Sequence, residues 1–347
     1  MDAFAASLAR SPELFPHAWD VQSDAVTLVR LTKADYEAAS FLDERVLGPR
    51  TLSRTLPFGQ LAAAVSAAGL PERCHVIFHI GHVGSTLLSR LLSAEGQRLL
   101  GVREPVILRT LARLKDDPAG RHWNDAALDE RLTVFLKLWS RTFTADQTAL
   151  IKATSFVSDL APQWLARPSA PKALLLFVSP ESYMATILAG PAAREEAKTL
   201  VEERLKRLHR RIGRDVWQAS SLSDGEALGL AWATEMSALV EAKRIAGDRA
   251  LALDFDRFLE HPHEHLARAF RHFDCDVAPD KIGEILTGPH MQRYSKAPEH
   301  AYSPELRREL LSEARNEHRA EIEMGIAWVE RAAKDVPLIS ASLDMAD

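Results

Sequence analysis

The chain has 347 residues, of which 46% are apolar and 26% charged, and its formal net charge is −5. This is the composition of a globular protein with apolar residues enough for one large core. A net negative charge excludes general affinity for nucleic acid or anionic membranes, so any anion site must be local.

Residues 1–72 read as mainly helical segments and turns, a cap on the core of the protein. The opening stretch MDAFAASLARSPELFPHAWD has no apolar core behind a basic end, so it does not read as a signal peptide. No apolar run approaches the roughly 20 residues of a membrane span, and two cysteines, Cys74 and Cys275, make no disulfide framework. The expected location is cytoplasmic. From residue 73 the pattern changes. Short apolar runs at 74–80, 97–102, 149–153, 173–178 and 250–255 are mostly continuous rather than alternating, as in parallel strands covered on both faces. Between them lie helical patterns. Leu128, Leu132, Phe135, Trp139 and Phe143 form one apolar stripe within 124–145. The stretches 194–212 and 222–246 end at Gly213 and Gly247, as helices often do. Ser179-Pro180-Glu181 and Ser303-Pro304-Glu305 have the form of an N-cap serine with proline in the first turn. Strand–helix alternation predicts an α/β protein: a three-layer, doubly wound parallel sheet over 73–335, with the cap at 1–72 and a tail at 336–347.

The first core strand runs into Gly81-His82-Val83-Gly84-Ser85-Thr86, and an amphipathic run comes directly after it. A strand that leads straight into a helix leaves backbone N–H groups unpaired at the positive end of the helix dipole, where an anion fits. Gly84 is expected to let the backbone approach a phosphate, while Ser85 and Thr86 add hydroxyl donors. The nucleotide-hydrolase form of this loop, G-x-x-x-x-G-K-[ST], fails twice: Ser85 stands in the place of lysine and His79 in that of the first glycine.

The stretch IFHIGHVGSTLLSRLL resembles the 5′-phosphosulfate loop of the sulfotransferase family, and later pieces fall in that family's order over about 74–305. They are REP after the second strand, a strand ending at Lys152, FVSPESYMATIL, ALDFDRFLEHP and MQRYSKAPEHAY. The resemblance implies a P-loop NTPase-like fold and transfer of a sulfuryl group from 3′-phosphoadenosine-5′-phosphosulfate, without a metal. The acceptor would be a hydroxyl or amine of a small molecule, carbohydrate or peptide, with no nucleic-acid or membrane partner. It further implies that Gly81, Val83, Gly84, Ser85 and Thr86 hold the 5′-phosphosulfate. His82 stands where the family has a loop lysine or arginine; protonated it supplies the same charge, neutral it only hydrogen-bonds. Val178 occupies the family's 3′-phosphate arginine position and Thr186 its serine position. Arg293 and Lys296 would then clamp the 3′-phosphate as charge-assisted donors.

Such transfer needs one base for the acceptor. Lys152-Ala153-Thr154 matches only the lysine of the family's K-T-H element, but other branches of the family use a glutamate after the second strand, and the resemblance implies Glu104 of GVREPVIL as that base; the other reading is a structural ion pair with Arg103. Lys152 is expected beside the donor at the carboxyl end of its strand. Cys74, His75, His79 and His82 alternate across both faces of a strand, which argues against a metal site. HPHEH (261–265) reads as a turn opening a helix, and the basic run 206–214 as a solvated helix end. The tryptophans at 139, 164, 217, 232 and 328 read as core. Two other readings stay open: a magnesium-dependent phosphotransferase or nucleotide binder using Asp254 at its strand end, and a non-catalytic α/β binding module.

Overall fold

A computed structural model describes residues 3–94, 98–116, 123–293 and 303–346. Five runs form parallel strands: β4 (Cys74–His79), β5 (Leu99–Arg103), β6 (Thr148–Lys152), β7 (Ala173–Phe177) and β8 (Ala250–Asp254). They come after β1 (Leu14–Asp20), β2 (Ala25–Arg30) and β3 (Ser53–Pro57) of the N-terminal segment. The parallel sheet has the order β5-β6-β4-β7-β8. Its residues are buried almost throughout because helices cover both faces. Ser85–Leu92 and Pro262–His272 pack on one face, and Ala161–Leu165 and the long Asp224–Ala246 on the other. The expected three-layer, doubly wound architecture is what the chain adopts.

The capping signals read from the sequence act locally. Ser179 Oγ accepts from Ser182 N, and Ser303 Oγ from Leu306 N. Ser223 and Glu226 close a capping box at the start of the long helix. Gly213 ends its helix in the left-handed conformation at φ 73°.

The N-terminal segment holds more than helices. Ala3–Arg10, Lys33–Ala38 and Phe58–Ala68 are helical, but β1, β2 and β3 form an antiparallel sheet beside them. Pro16 and a register shift at Pro16/Ala18 interrupt β1, and β3 is largely exposed, so neither carries a clean alternating pattern. The cap is tied to the core by buried guanidinium groups. Arg103 donates to Tyr36 O and Ala39 O, and Arg90 to Glu37 O and Ala38 O. Residues 337–346, expected as a tail, form a helix whose Leu338, Ile339 and Ser342 are buried beside the long helix.

The basic run 206–214 also differs from expectation. Arg207 and Arg211 point inward, where Arg207 bridges Asp159 and Glu235, and Arg211 binds Asp159 and Glu241. Two arginines four apart share one helix face, and that face is turned to the core. Trp139, Trp164, Trp232 and Trp328 are buried and Trp217 is half-buried. Among the described residues no helix is long and apolar enough to cross a membrane.

Candidate active site

The connection leaving β4 runs to the β5 edge of the sheet, whereas those leaving β6 and β7 run towards β8. The carboxyl ends of β4 and β6 therefore flank a point where the winding reverses, the usual place for a ligand in such a fold. The loop 80–84 lies there. Gly81, His82 and Gly84 have φ of 84°, 54° and 68°, three left-handed residues in four positions. Gly81 N donates to His79 Nδ1 at 3.0 Å, which fixes the start of the turn. The helix Ser85–Leu92 begins at Gly84 without a side-chain cap, so none of its first-turn N–H groups goes to a capping side chain. Ser85 and Thr86 are buried, Thr86 to 2% exposure, and Thr86 Oγ1 has no hydrogen-bond partner among the described residues. A buried hydroxyl without a partner, in the first turn of an uncapped helix, suits an anion. Val83 is buried, so it offers the site backbone only.

Gly84 is also held to glycine by its packing. A Cβ at this position would overlap the ring of Phe255, the residue next after β8. The space left by the missing side chain is filled by that ring and is not an open cradle. His82 is partly exposed, with Nε2 3.9 Å from Glu196 Oε2 on the helix Pro191–Thr199.

A charged cluster stands at the ends of β5 and β6. Arg103 and Lys152 are register partners, and Glu104 N donates to Lys152 O at 2.7 Å. The Glu104 backbone is left-handed at φ 51°, an uncommon state for a side chain of its kind and one often retained at functional positions. Its Oε1 accepts from Lys152 Nζ, and its Oε2 from Thr154 Oγ1 at 3.1 Å. Arg103 is not its partner, because that guanidinium is turned to the cap carbonyls and to Ser93 Oγ. Lys152 is 0% exposed, and its ammonium lies 5.2 Å from the Phe41 ring centroid. Its ammonium is the ion-pair partner of the Glu104 carboxylate. Arg109, on the first turns of Val106–Asp116, stands 3.8 Å from Glu104 Oε2 and 3.5 Å from Asp43 Oδ2. Arg45 grips Asp43 with two nitrogens and covers Phe41 at 3.8 Å. Burial pushes the Asp43 carboxyl up, but the Arg45 hydrogen bonds and charge more than offset this, and it lies below its ordinary value.

The remaining residues are spread more widely. Thr186 Oγ1 donates back to Ser182 O at 2.7 Å, a bond internal to its helix. Val178 is buried, and its carbonyl accepts from Trp232 Nε1 at 3.0 Å. The cation near this helix comes from elsewhere: Arg315 NH2 donates to Ser182 Oγ at 2.9 Å. Arg293 is exposed, and Lys296 lies outside the described residues. Asp254 is committed to capping Phe255–Glu260, its Oδ1 accepting from Asp256 N at 2.6 Å and Arg257 N at 3.1 Å. Burial raises its carboxyl above the ordinary value. Among the described residues no three His, Cys, Asp or Glu side chains gather in a metal-binding group.

Three of these residues escaped the sequence reading. Arg109, Asp43 and Phe255 meet the site only through the fold. Arg109 alone left a trace, since a helix starting after Glu104-Pro105 puts it one turn from the carboxylate.

No protein-family model and no curated protein matches the sequence. Several solved structures do. The sulfotransferase domain from the curacin biosynthetic pathway is 12% identical, covers 75% of this chain and 98% of its own, and has a TM-score of 0.41. A sulfotransferase from Alicyclobacillus acidocaldarius is 14% identical over 74% of this chain and 98% of its own, with a TM-score of 0.34. Sulfotransferase STF9 from Mycobacterium avium is 14% identical over 91% and 95%, with a TM-score of 0.36. These are distant likenesses of fold, so the chemistry has to be argued from the residues of this chain.

Proposed function

We propose that this chain is a sulfotransferase that moves a sulfuryl group from 3′-phosphoadenosine-5′-phosphosulfate to a hydroxyl or amine. The observation that carries this reading is the uncapped helix start at Gly84 with the buried, unpartnered Thr86 hydroxyl, at the sheet's switch point, with Glu104 two strands away at the end of β5. When bound, the donor supplies the sulfuryl group and a phosphate leaving group. The backbone N–H groups of 81–86 and the Ser85 and Thr86 hydroxyls hold its 5′ end, where negative charge gathers as the bond to the leaving oxygen lengthens. His82 would supply positive charge to that oxygen if protonated and a hydrogen bond if neutral. Glu104 takes the acceptor's proton as the new sulfur–oxygen or sulfur–nitrogen bond forms. Lys152 acts at one remove, holding Glu104 in place, and Thr154 orients the second carboxylate oxygen. Thr186 lies on the helix Pro180–Leu188, and Arg315, which also pairs with Glu181, would offer the 3′-phosphate a cation in place of Val178, with Arg293 and Lys296 as further donors.

The phosphotransferase reading has less support. The loop has Ser85 where lysine is required, and Asp254 is spent on a helix cap. Donor turnover tests the proposal: release of 3′,5′-adenosine bisphosphate from the donor is measured against a mixture of phenols, sugars and amines. Release that depends on an acceptor supports it, and Glu104→Gln should slow that release by about 100-fold or more. Absent release would leave a binding module, and release that needs no acceptor would mean transfer to water and not to a hydroxyl or amine substrate.

A further inference from the structure

Ser85 leaves the 81–86 loop without the lysine that turns of this form set against an anion. A cation approaches the loop from the C-terminal part of the chain. The Phe255 ring, whose tip fills the space beside Gly84, has the Arg307 guanidinium over its face, 5.4 Å from the centroid. Arg307 ends the first turn of the helix Pro304–Glu317. Its side chain is only 14% exposed, and NH1 donates to Asp256 Oδ1 at 2.6 Å. NH2 is buried with no hydrogen-bond partner among the described residues. A buried guanidinium nitrogen that lacks an acceptor costs free energy until one arrives. The acids around it are engaged: Asp256 with NH1, Asp254 with the N–H groups of Asp256 and Arg257, and Glu305 with Arg308.

Arg315, eight residues on, lies on nearly the same face of this helix, and Leu311 and Ala314 between them are buried. The helix packs on Pro180–Leu188. The two arginine Cα atoms are about 12 Å apart along the axis. Arg307 stands by Phe255 and Gly84, and Arg315 by Ser182 Oγ. The loop and Pro180–Leu188 leave neighbouring strands, β4 and β7. One helix thus sets a cation near each of the two segments, as a ligand with two anionic groups requires.

We infer that Arg307 binds the 5′ anion of the donor at the 81–86 loop and supplies the permanent positive charge that lysine supplies in other loops of this form. NH2 donates to an oxygen of that anion while NH1 stays on Asp256, and Arg315 serves the 3′ end. The inference rests on the sulfuryl-transfer reading for the identity of the donor but not for the anion.

The test uses the full chain and two probes titrated by calorimetry: 3′,5′-adenosine bisphosphate, and inorganic pyrophosphate, which resembles phosphosulfate without a nucleoside. Arg307→Gln should weaken both by about tenfold or more. Asp256→Asn breaks the same ion pair but keeps the guanidinium, so both probes should bind as tightly as before or tighter. Equal weakening by the two variants would reduce Arg307 to a structural partner of Asp256, and unchanged affinity in Arg307→Gln would also overturn the inference. Melting curves follow the fold. If the glutamine variant does not fold, Arg307→Lys takes its place: it keeps the charge and the ion pair, loses the second nitrogen, and should still weaken both probes. Pyrophosphate binding that depends on Arg307, without bisphosphate binding, removes the sulfuryl-transfer reading alone. Bisphosphate binding indifferent to Arg307 removes the inference alone, and no binding of either probe removes both.

Discussion

Lys152 and Glu104 form an ion pair across neighbouring strand ends, with the lysine wholly enclosed and the carboxylate nearly so. Separated by 48 positions, they meet because β5 and β6 are adjacent and in register. Removing one member leaves the other buried without its counter-charge. Lys152→Met should therefore cost about 3 kcal/mol of stability. Adding Glu104→Gln to it should recover more than half of that loss. Denaturant titration of the four proteins in the cycle measures the coupling, and additive losses would mean that the pair is not energetically real.

Thr86 presents the opposite case, a buried hydroxyl that nothing in the described structure uses. Thr86→Val keeps the shape and removes the polar atom. The free protein should gain about 1 kcal/mol, because an unsatisfied buried group has gone. Affinity for 3′,5′-adenosine bisphosphate should fall by about tenfold. Melting curves and calorimetry read the two effects separately, and a loss of stability with unchanged affinity would place the hydroxyl in the fold and not in the site.

Gly84 and Phe255 should be coupled through space. Gly84→Ala forces a methyl into the Phe255 ring at a residue with φ of 68°, and should cost about 2 kcal/mol or more. In a Phe255→Leu background the same change should cost less than half as much, the remainder being the left-handed backbone. Equal penalties in both backgrounds would show that the ring does not press on the loop.

His75 gives the fold a sensitivity to acid. Burial first, and then the Lys172 ammonium, pull its imidazole down to about 4, while Lys172 N donates to its Nδ1 at 3.2 Å. The unfolded chain takes up this proton near the ordinary value of about 6.5. The neutral ring's contribution is thus complete above pH 6.5 and is lost as pH falls from there through about 4. Up to about 3 kcal/mol depends on it. His272, also lowered by burial, adds in the same direction. His75→Gln should flatten the stability profile between pH 4 and 6.5. An unchanged slope would assign the acid sensitivity elsewhere.

The strands of the core were legible because parallel strands buried on both faces write themselves as unbroken apolar runs, and each lies within two residues of its expected limits. The helix caps at Ser179, Ser303 and Gly213 were legible for a local reason, since a cap is made within four residues. The antiparallel sheet of the cap was not, because Pro16 breaks its alternation and β3 is exposed. The basic run 206–214 misled because charge alone does not say which way a helix faces; Asp159, 48 residues before Arg207, decides it. In the site, the loop was legible as a loop. The partner of Glu104, the ring against Gly84 and the half-used Arg109 were not, since each depends on which strand ends become neighbours.

The most direct measurement is a thermal-shift titration with 3′,5′-adenosine bisphosphate, run against ATP and GTP with magnesium. A ligand that binds only the native state adds about 2.7 kcal/mol at 100 times its dissociation constant, a shift of several degrees at most for a chain of this size. A sulfuryl-donor site at the 81–86 loop predicts a saturable rise with the bisphosphate in the absence of metal, reduced in Thr86→Val. A rise confined to a nucleotide with magnesium, or no rise with any of the three, would contradict it.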